Sequence, residues 1–147
     1  IRLREGDYVV GAGSTSTGSA LLTITENGYG KRTACTEYGV KGRGGIGLKN
    51  YNVTEKTGNV ADVKIVTGDE DVLVVTDDAT IIRIPVDGIS LLGRSTQGVR
   101  IMRTAAGSRV ISIETTEKNP EEETELPGAQ ENDAAPEDAE VPGTDEE

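Results

Sequence analysis

Leu22-Thr-Ile-Thr-Glu-Asn27 and Leu73-Val-Val-Thr-Asp-Asp78 stand 51 residues apart and read as two copies of one strand running into one turn. The match extends outward without a gap. Arg32 falls over Arg83, Gly42-Arg43 over Gly93-Arg94, and Gly47-Leu48-Lys49 over Gly98-Val99-Arg100. Beyond Lys49 the offset shrinks by two, which sets Gly58-Asn59-Val60 over Gly107-Ser108-Arg109, and the opening Gly6-Asp7-Tyr8 fits the same slot. The chain therefore divides into the end of one unit, residues 1–14, and two fuller units, residues 20–66 and 71–114, each about 50 residues long.

Within a unit the apolar residues keep the strand period of two, as at Leu22 and Ile24 or Val63 and Ile65, interrupted by short continuous runs such as Val72-Leu-Val-Val75. With no Trp or Phe, any core is built from Val, Ile and Leu, which favour strands, and 19 glycines supply turns. The expectation is an all-β chain with three or four strands per unit and almost no helix. Small antiparallel sheets that cannot bury both faces alone are arranged radially or stacked, and blades of a propeller-like disc fit this spacing.

Cys35 is the single cysteine and there is no His, so neither a disulfide framework nor the usual zinc sites can form within the chain. That usage predicts a reducing, cytoplasmic setting. No apolar run reaches the roughly 18 residues of a membrane helix, so no membrane association is expected. Ile1-Arg-Leu-Arg-Glu-Gly-Asp-Tyr-Val-Val10 reads like the interior of a structured unit, as in a piece of a longer protein.

The net charge of -11 conceals two opposite regions. Residues 1–118 hold all 15 Lys and Arg against 14 acids, whereas residues 119–147 hold 12 acids and no base. The acidic pI belongs to the tail, whose Pro, Glu, Asp and Ala composition predicts a disordered segment. Inside the repeats, residues 28–50 and 83–109 each carry five bases and one acid, while residues 51–82 carry two bases and seven acids. If equivalent segments face one rim, their bases form a belt along which a duplex can bend.

Glu37-Tyr-Gly-Val-Lys-Gly-Arg-Gly-Gly-Ile-Gly47, with Tyr29-Gly-Lys-Arg-Thr33 before it, is the most distinctive stretch. It resembles the C-terminal domains of DNA gyrase A proteins, which carry a box Gln-Arg-Arg-Gly-Gly-Lys-Gly on a six-bladed pinwheel. Residues 41–47 keep Arg43, Gly44, Gly45 and Gly47 of that box and depart from it at Lys41, Gly42 and Ile46. This is a degenerate copy. Ser95-Thr-Gln-Gly-Val-Arg100 and the acidic tail extend the resemblance over nearly the whole chain.

The resemblance implies a partial β-pinwheel: about two blades plus part of a third, followed by the tail. It implies double-stranded DNA as partner, bound without sequence preference and wrapped in support of ATP-dependent negative supercoiling. The rest of gyrase A, together with gyrase B, would complete a bacterial, nucleoid-associated heterotetramer, with the ATP and Mg²⁺ sites and the cleavage tyrosine in other regions. No catalytic residue and no cofactor is expected in this chain. The C-terminal domain of the corresponding topoisomerase IV protein and a bladed protein-interaction module are the alternatives.

The residues expected to meet DNA are Lys31, Arg32, Lys41, Arg43, Gly44, Gly45, Lys49, Arg94, Arg100 and Arg103. Glycine lets the main chain bring N–H groups close to a phosphate, and Arg adds a fork of charged donors. Lys31 and Arg32 have a competing reading as protection of an exposed strand edge. Gly42-x-Gly44-x-x-Gly47 satisfies the spacing of a dinucleotide fingerprint, but Leu48-Lys-Asn-Tyr-Asn-Val53 is no helix start, so that reading is set aside. Tyr8, Tyr29, Tyr38 and Tyr51 read as packing residues, and Asp77 and Asp78 as a solvated turn.

Overall fold

The computed structural model describes residues 1–120. They form two antiparallel sheets, with helical geometry confined to short 3-10 turns at Cys35–Glu37, at Val86–Gly88 and at the last described residue. The strands are β1 (Ala20–Thr25), β2 (Tyr29–Ala34), β3 (Val60–Val66), β4 (Glu70–Thr76), β5 (Ile81–Pro85), β6 (Val99–Arg100) and β7 (Val110–Glu117). One sheet has the order β3-β1-β2-β6 and the other β5-β4-β7.

The 51-residue repeat is a repeat of hydrogen-bond register. Leu22 faces Arg32 across β1 and β2, and Leu73 faces Arg83 across β4 and β5. The turns match as well. Thr25 Oγ1 donates to Tyr29 O at 3.2 Å, as Thr76 Oγ1 does to Thr80 O at 3.1 Å. Gly28 has φ 76° in the first turn, and its counterpart Ala79 is held at φ 65°, a strained value for a residue with a Cβ.

The third strands correct one expectation. Ala20 faces Val66 and Asp71 faces Thr116, and both strands bulge, at Ala61 and at Ile111, before Thr25 meets Val60 and Thr76 meets Val110. Val60 is therefore level with Val110, not with Arg109. The positive-φ glycines Gly58 and Gly107 are 49 residues apart, but the turn after Gly107 holds one residue more, so the strands resume at an offset of 50.

Leu22, Ile24 and Val66 from one sheet, Val72, Val74, Val110 and Ile113 from the other, and Val86, Ile89 and Met102 from the connection form one buried cluster. β-branched side chains dominate it, as a half-buried pleated surface requires. The sheets meet along β3 and β7, where Ile113 N donates to Asp62 Oδ2 at 3.0 Å and Lys64 pairs with Glu114 at 3.0 Å.

Residues 1–14, expected to close a preceding unit, contain no strand among the described residues. They keep the turn of that slot, with Gly6 at φ 82°, and then run beside β3. A Cβ at Gly11 would lie 2.7 Å from Val63 Cγ2, and one at Gly13 the same distance from Ile65 Cγ1. The expected disordered tail lies outside the described residues, apart from Asn119 and Pro120.

The two units are not sealed from each other. β6 belongs to the second repeat by sequence but pairs with β2 of the first, Val99 opposite Gly30 and Arg100 opposite Tyr29. Arg32 N donates to Ser90 O, Leu92 N to Arg32 O and Ile101 N to Gly28 O, so residues 89–101 complete the edge of the earlier sheet.

Candidate nucleic-acid interface

Residue types in β2 suit it for this exchange. Gly28 and Gly30 leave room for the incoming chain: a Cβ at Gly28 would stand 2.5 Å from Met102 O, and one at Gly98 2.5 Å from Gly30 O. Thr33 Oγ1 donates to Leu92 O at 2.8 Å. Seven of the 15 basic residues lie on or beside this seam, and they divide into those that hold it together and those that face solvent.

Lys31 holds it together, against both the expected DNA contact and the competing reading as protection of an exposed strand edge. Its side chain is 0% exposed, and Nζ donates to Gly93 O at 2.7 Å, Arg94 O at 2.8 Å and Thr96 Oγ1 at 3.2 Å. The ammonium also lies 5.0 Å from the Tyr51 ring centroid. Burial lowers its pKa to about 8, against the opposing pull of Glu37 and with some help from Arg94. A charge so enclosed cannot meet a phosphate.

Arg32 is likewise occupied, Nε donating to Ile89 O at 2.7 Å and Nη2 to Asp87 O at 3.1 Å. Arg94 is partly so: Nη1 donates to Lys49 O at 2.9 Å and its N–H to Glu37 Oε2 at 3.2 Å. In the second repeat the carbonyls of the Gly93-Arg94 turn are acceptors for Lys31.

The copy at residues 41–47 is open. Lys41 and Arg43 are exposed, Gly44 and Gly47 have φ 75° and 80°, and no side chain crowds Gly42 or Gly44. Arg2 donates to the carbonyls, N–H to Gly45 O at 2.9 Å and Nε to Gly44 O at 2.8 Å, and Arg43 and Gly44 form a turn that directs the Gly45 N–H back toward Gly42.

Lys49, Arg100 and Arg103 are exposed. Lys49 Nζ donates to Asn52 Oδ1 at 3.2 Å, and Arg100 donates to Tyr29 Oη at 2.6 Å through Nη2. Sequence reasoning missed Lys56, whose Nζ lies 5.4 Å from the centroid of the same Tyr29 ring that carries the Arg100 guanidinium at 5.0 Å. Its place two residues before a positive-φ glycine was the available signal. Among the described residues no carboxylate lies within ion-pair distance of Lys41, Arg43, Lys49, Lys56, Arg100 or Arg103, whereas Lys64, Arg83, Arg109 and Lys118 all have one.

Asp77 and Asp78 close turns. Asp77 Oδ1 accepts from Arg109 N at 3.0 Å and Ser108 Oγ at 2.8 Å, and the Arg109 N–H above all holds its carboxyl below the usual range. Tyr38 bonds Asn50, which donates to Thr23 Oγ1 at 2.9 Å, and Tyr51 bonds Gln97 O, so Tyr38 packs within its own unit and Tyr51 at the seam. No helix among the described residues is long and apolar enough to cross a membrane.

Residues 19–67 and 70–117 match the family described as DNA gyrase C-terminal domain, beta-propeller. The chain is 46% identical over 115 residues to the DNA gyrase A protein of Staphylococcus epidermidis, covering 77% of this chain and 13% of that protein. With the gyrase A protein of Staphylococcus aureus it shares 44% over 126 residues, 84% of this chain and 14% of the relative. It thus spans only a small part of these curated relatives. A solved gyrase A C-terminal domain superposes with a TM-score of 0.64 at 26% identity, over 67% of this chain and 33% of that one. A topoisomerase IV C-terminal domain superposes with a TM-score of 0.69 over 79% and 36%, at 22% identity, a likeness of fold.

Proposed function

Because this chain belongs to the DNA gyrase C-terminal domain family of β-propellers, we propose that it is part of the DNA-wrapping surface of a gyrase A protein. It binds double-stranded DNA through the phosphate backbone, without sequence preference. The observation that carries this reading is the segregation of charge: cations on the seam and the glycine loop lack carboxylate partners among the described residues, while Lys64, Arg83, Arg109 and Lys118 are neutralised within the fold.

In the parent enzyme, wrapping on this surface sets the hand with which a second segment of the duplex reaches the cleavage gate, so that ATP-driven passage yields negative supercoils. Gate tyrosine, ATP and Mg²⁺ sites belong to other regions of gyrase A and to gyrase B, in a cytoplasmic, nucleoid-associated assembly. The gyrase relatives at 46% and 44% identity favour gyrase over topoisomerase IV.

The test is retention of random duplex DNA by the 147-residue chain across a salt series. We expect binding at low salt that weakens linearly in log–log form, at about 0.9 per phosphate neutralised. Replacing Lys41 and Arg43 together by Gln lowers both affinity and slope. Absence of duplex binding at low salt overturns the proposal and leaves a protein-interaction module in its place.

A further inference from the structure

The seam between consecutive repeats contains a second basic feature, separate from the glycine loop. Lys56, in the turn before β3, and Arg100, on the exchanged strand β6, gather around Tyr29 from opposite ends of the sequence repeat. Tyr29 is itself buried, so its ring is a fixed support, and its Oη receives Nη2 and Nε of Arg100 at 2.6 and 3.1 Å. Arg103 and Asn27 line the same cleft.

The arrangement recurs one repeat earlier. Arg4 precedes the positive-φ Gly6 by two residues, as Lys56 precedes Gly58. Lys49 follows the positive-φ Gly47 by two residues, as Arg100 follows Gly98. Arg4 and Lys49 line one cleft together, as Lys56 and Arg100 line another. Arg4, like the other three, has no carboxylate within ion-pair distance among the described residues. Each cleft thus takes one cation from the turn before a third-strand position and one from the segment of the next repeat.

We propose that each seam is a phosphate cradle for duplex DNA, assembled from two consecutive repeats and, at the seam described in full, organised by Tyr29. This rests on the reading that the chain binds duplex DNA, and it assigns the ligand class to Lys56, Arg100, Arg103 and their counterparts Arg4 and Lys49. The cradle exists only when the strand exchange is complete. Two exposed cations held on one aromatic support, with no carboxylate within ion-pair distance among the described residues, neutralise phosphates and so release the counterions condensed on the duplex. Spacing between contacts is then set by the blade repeat, not by any base sequence.

The experiment measures random-duplex affinity of the full chain across a salt series, for the wild type and three variants with unchanged melting temperatures. Lys56→Gln with Arg103→Gln is expected to weaken binding and to reduce the salt slope by about 2. Lys56→Arg with Arg103→Lys is expected to keep both, and Lys64→Gln, on β3 and paired with Glu114, to leave both unchanged. Wild-type slope and affinity in the double Gln variant would overturn the cradle while leaving the DNA-binding reading intact. A wild type that does not bind random duplex at low salt would overturn both.

Discussion

Arg83 closes on Asp71, Nε standing 2.6 Å from Oδ2, whereas its counterpart one repeat earlier, Arg32, bonds main-chain oxygens of the following unit. The difference lies at one position: Asp71 occupies the place of Ala20. Arg83 is thus retained within its own blade. The Asp71 carboxylate is 1% exposed, with Oδ1 lacking a hydrogen-bond partner among the described residues, and Arg83 is the cation paired with it. Arg83→Ala should cost about 3–5 kcal/mol by leaving that charge buried and unpaired. Asp71→Ala should cost distinctly less, because Arg83 reaches water. Urea melts of both variants check the asymmetry.

Lys31 should make stability rise with pH over a range where most proteins are flat. Its folded pKa of about 8 lies below the ordinary 10.5, so between these values the unfolded chain binds more protons than the folded one. Raising the pH through that window therefore favours the fold. Above about pH 10 the sign reverses, since burial lifts the Tyr51 hydroxyl to about 12 and its ionisation opposes folding. Lys31→Met should abolish the rise without removing the fall, as chemical denaturation at stepped pH would show.

Gly28 and Ala79 occupy the same turn position, and Ala79 demonstrates that the backbone tolerates a Cβ at φ 65°. Ala79→Gly should stabilise the chain, by up to about 1 kcal/mol, by relieving that strain. Gly28→Ala should destabilise by more than this, because its Cβ meets Met102 O at 2.5 Å. Thermal melting of the two variants separates conformational strain from the steric demand of the exchanged segment.

The 12 acids of residues 121–147 offer a competing polyanion for the seam cations. Deleting residues 121–147, which keeps the Asn119 N–H donating to Asp71 Oδ2, should tighten duplex binding at low salt and lose this effect at high salt. Equal affinity with and without the segment at low salt excludes competition.

Much of the fold is legible in the sequence because Leu22, Ile24, Val72 and Val74 advertise strands by type and spacing, and because glycine marks turns that demand positive φ. The exchange is not. β6 is two residues long, and nothing in Val99-Arg100 distinguishes a partner in its own unit from one in the neighbour. Lys31 misleads for a related reason: its acceptors are mainly carbonyls, which are common to all residues and leave no trace in side-chain identity. Recurrence alone points to Lys49 and Arg100. Lys56 escapes notice because it sits in an acid-rich stretch, although the fold carries it to the basic seam.

The loan of β6 to the earlier sheet also imposes an order of manufacture. As the chain is synthesised, β1, β2 and β3 emerge together, but their sheet lacks its last edge until Val99 and Arg100 have followed, more than thirty residues after Val66. Each blade therefore matures one step behind the ribosome, and a truncation or stall in one unit leaves its damage in the unit already made.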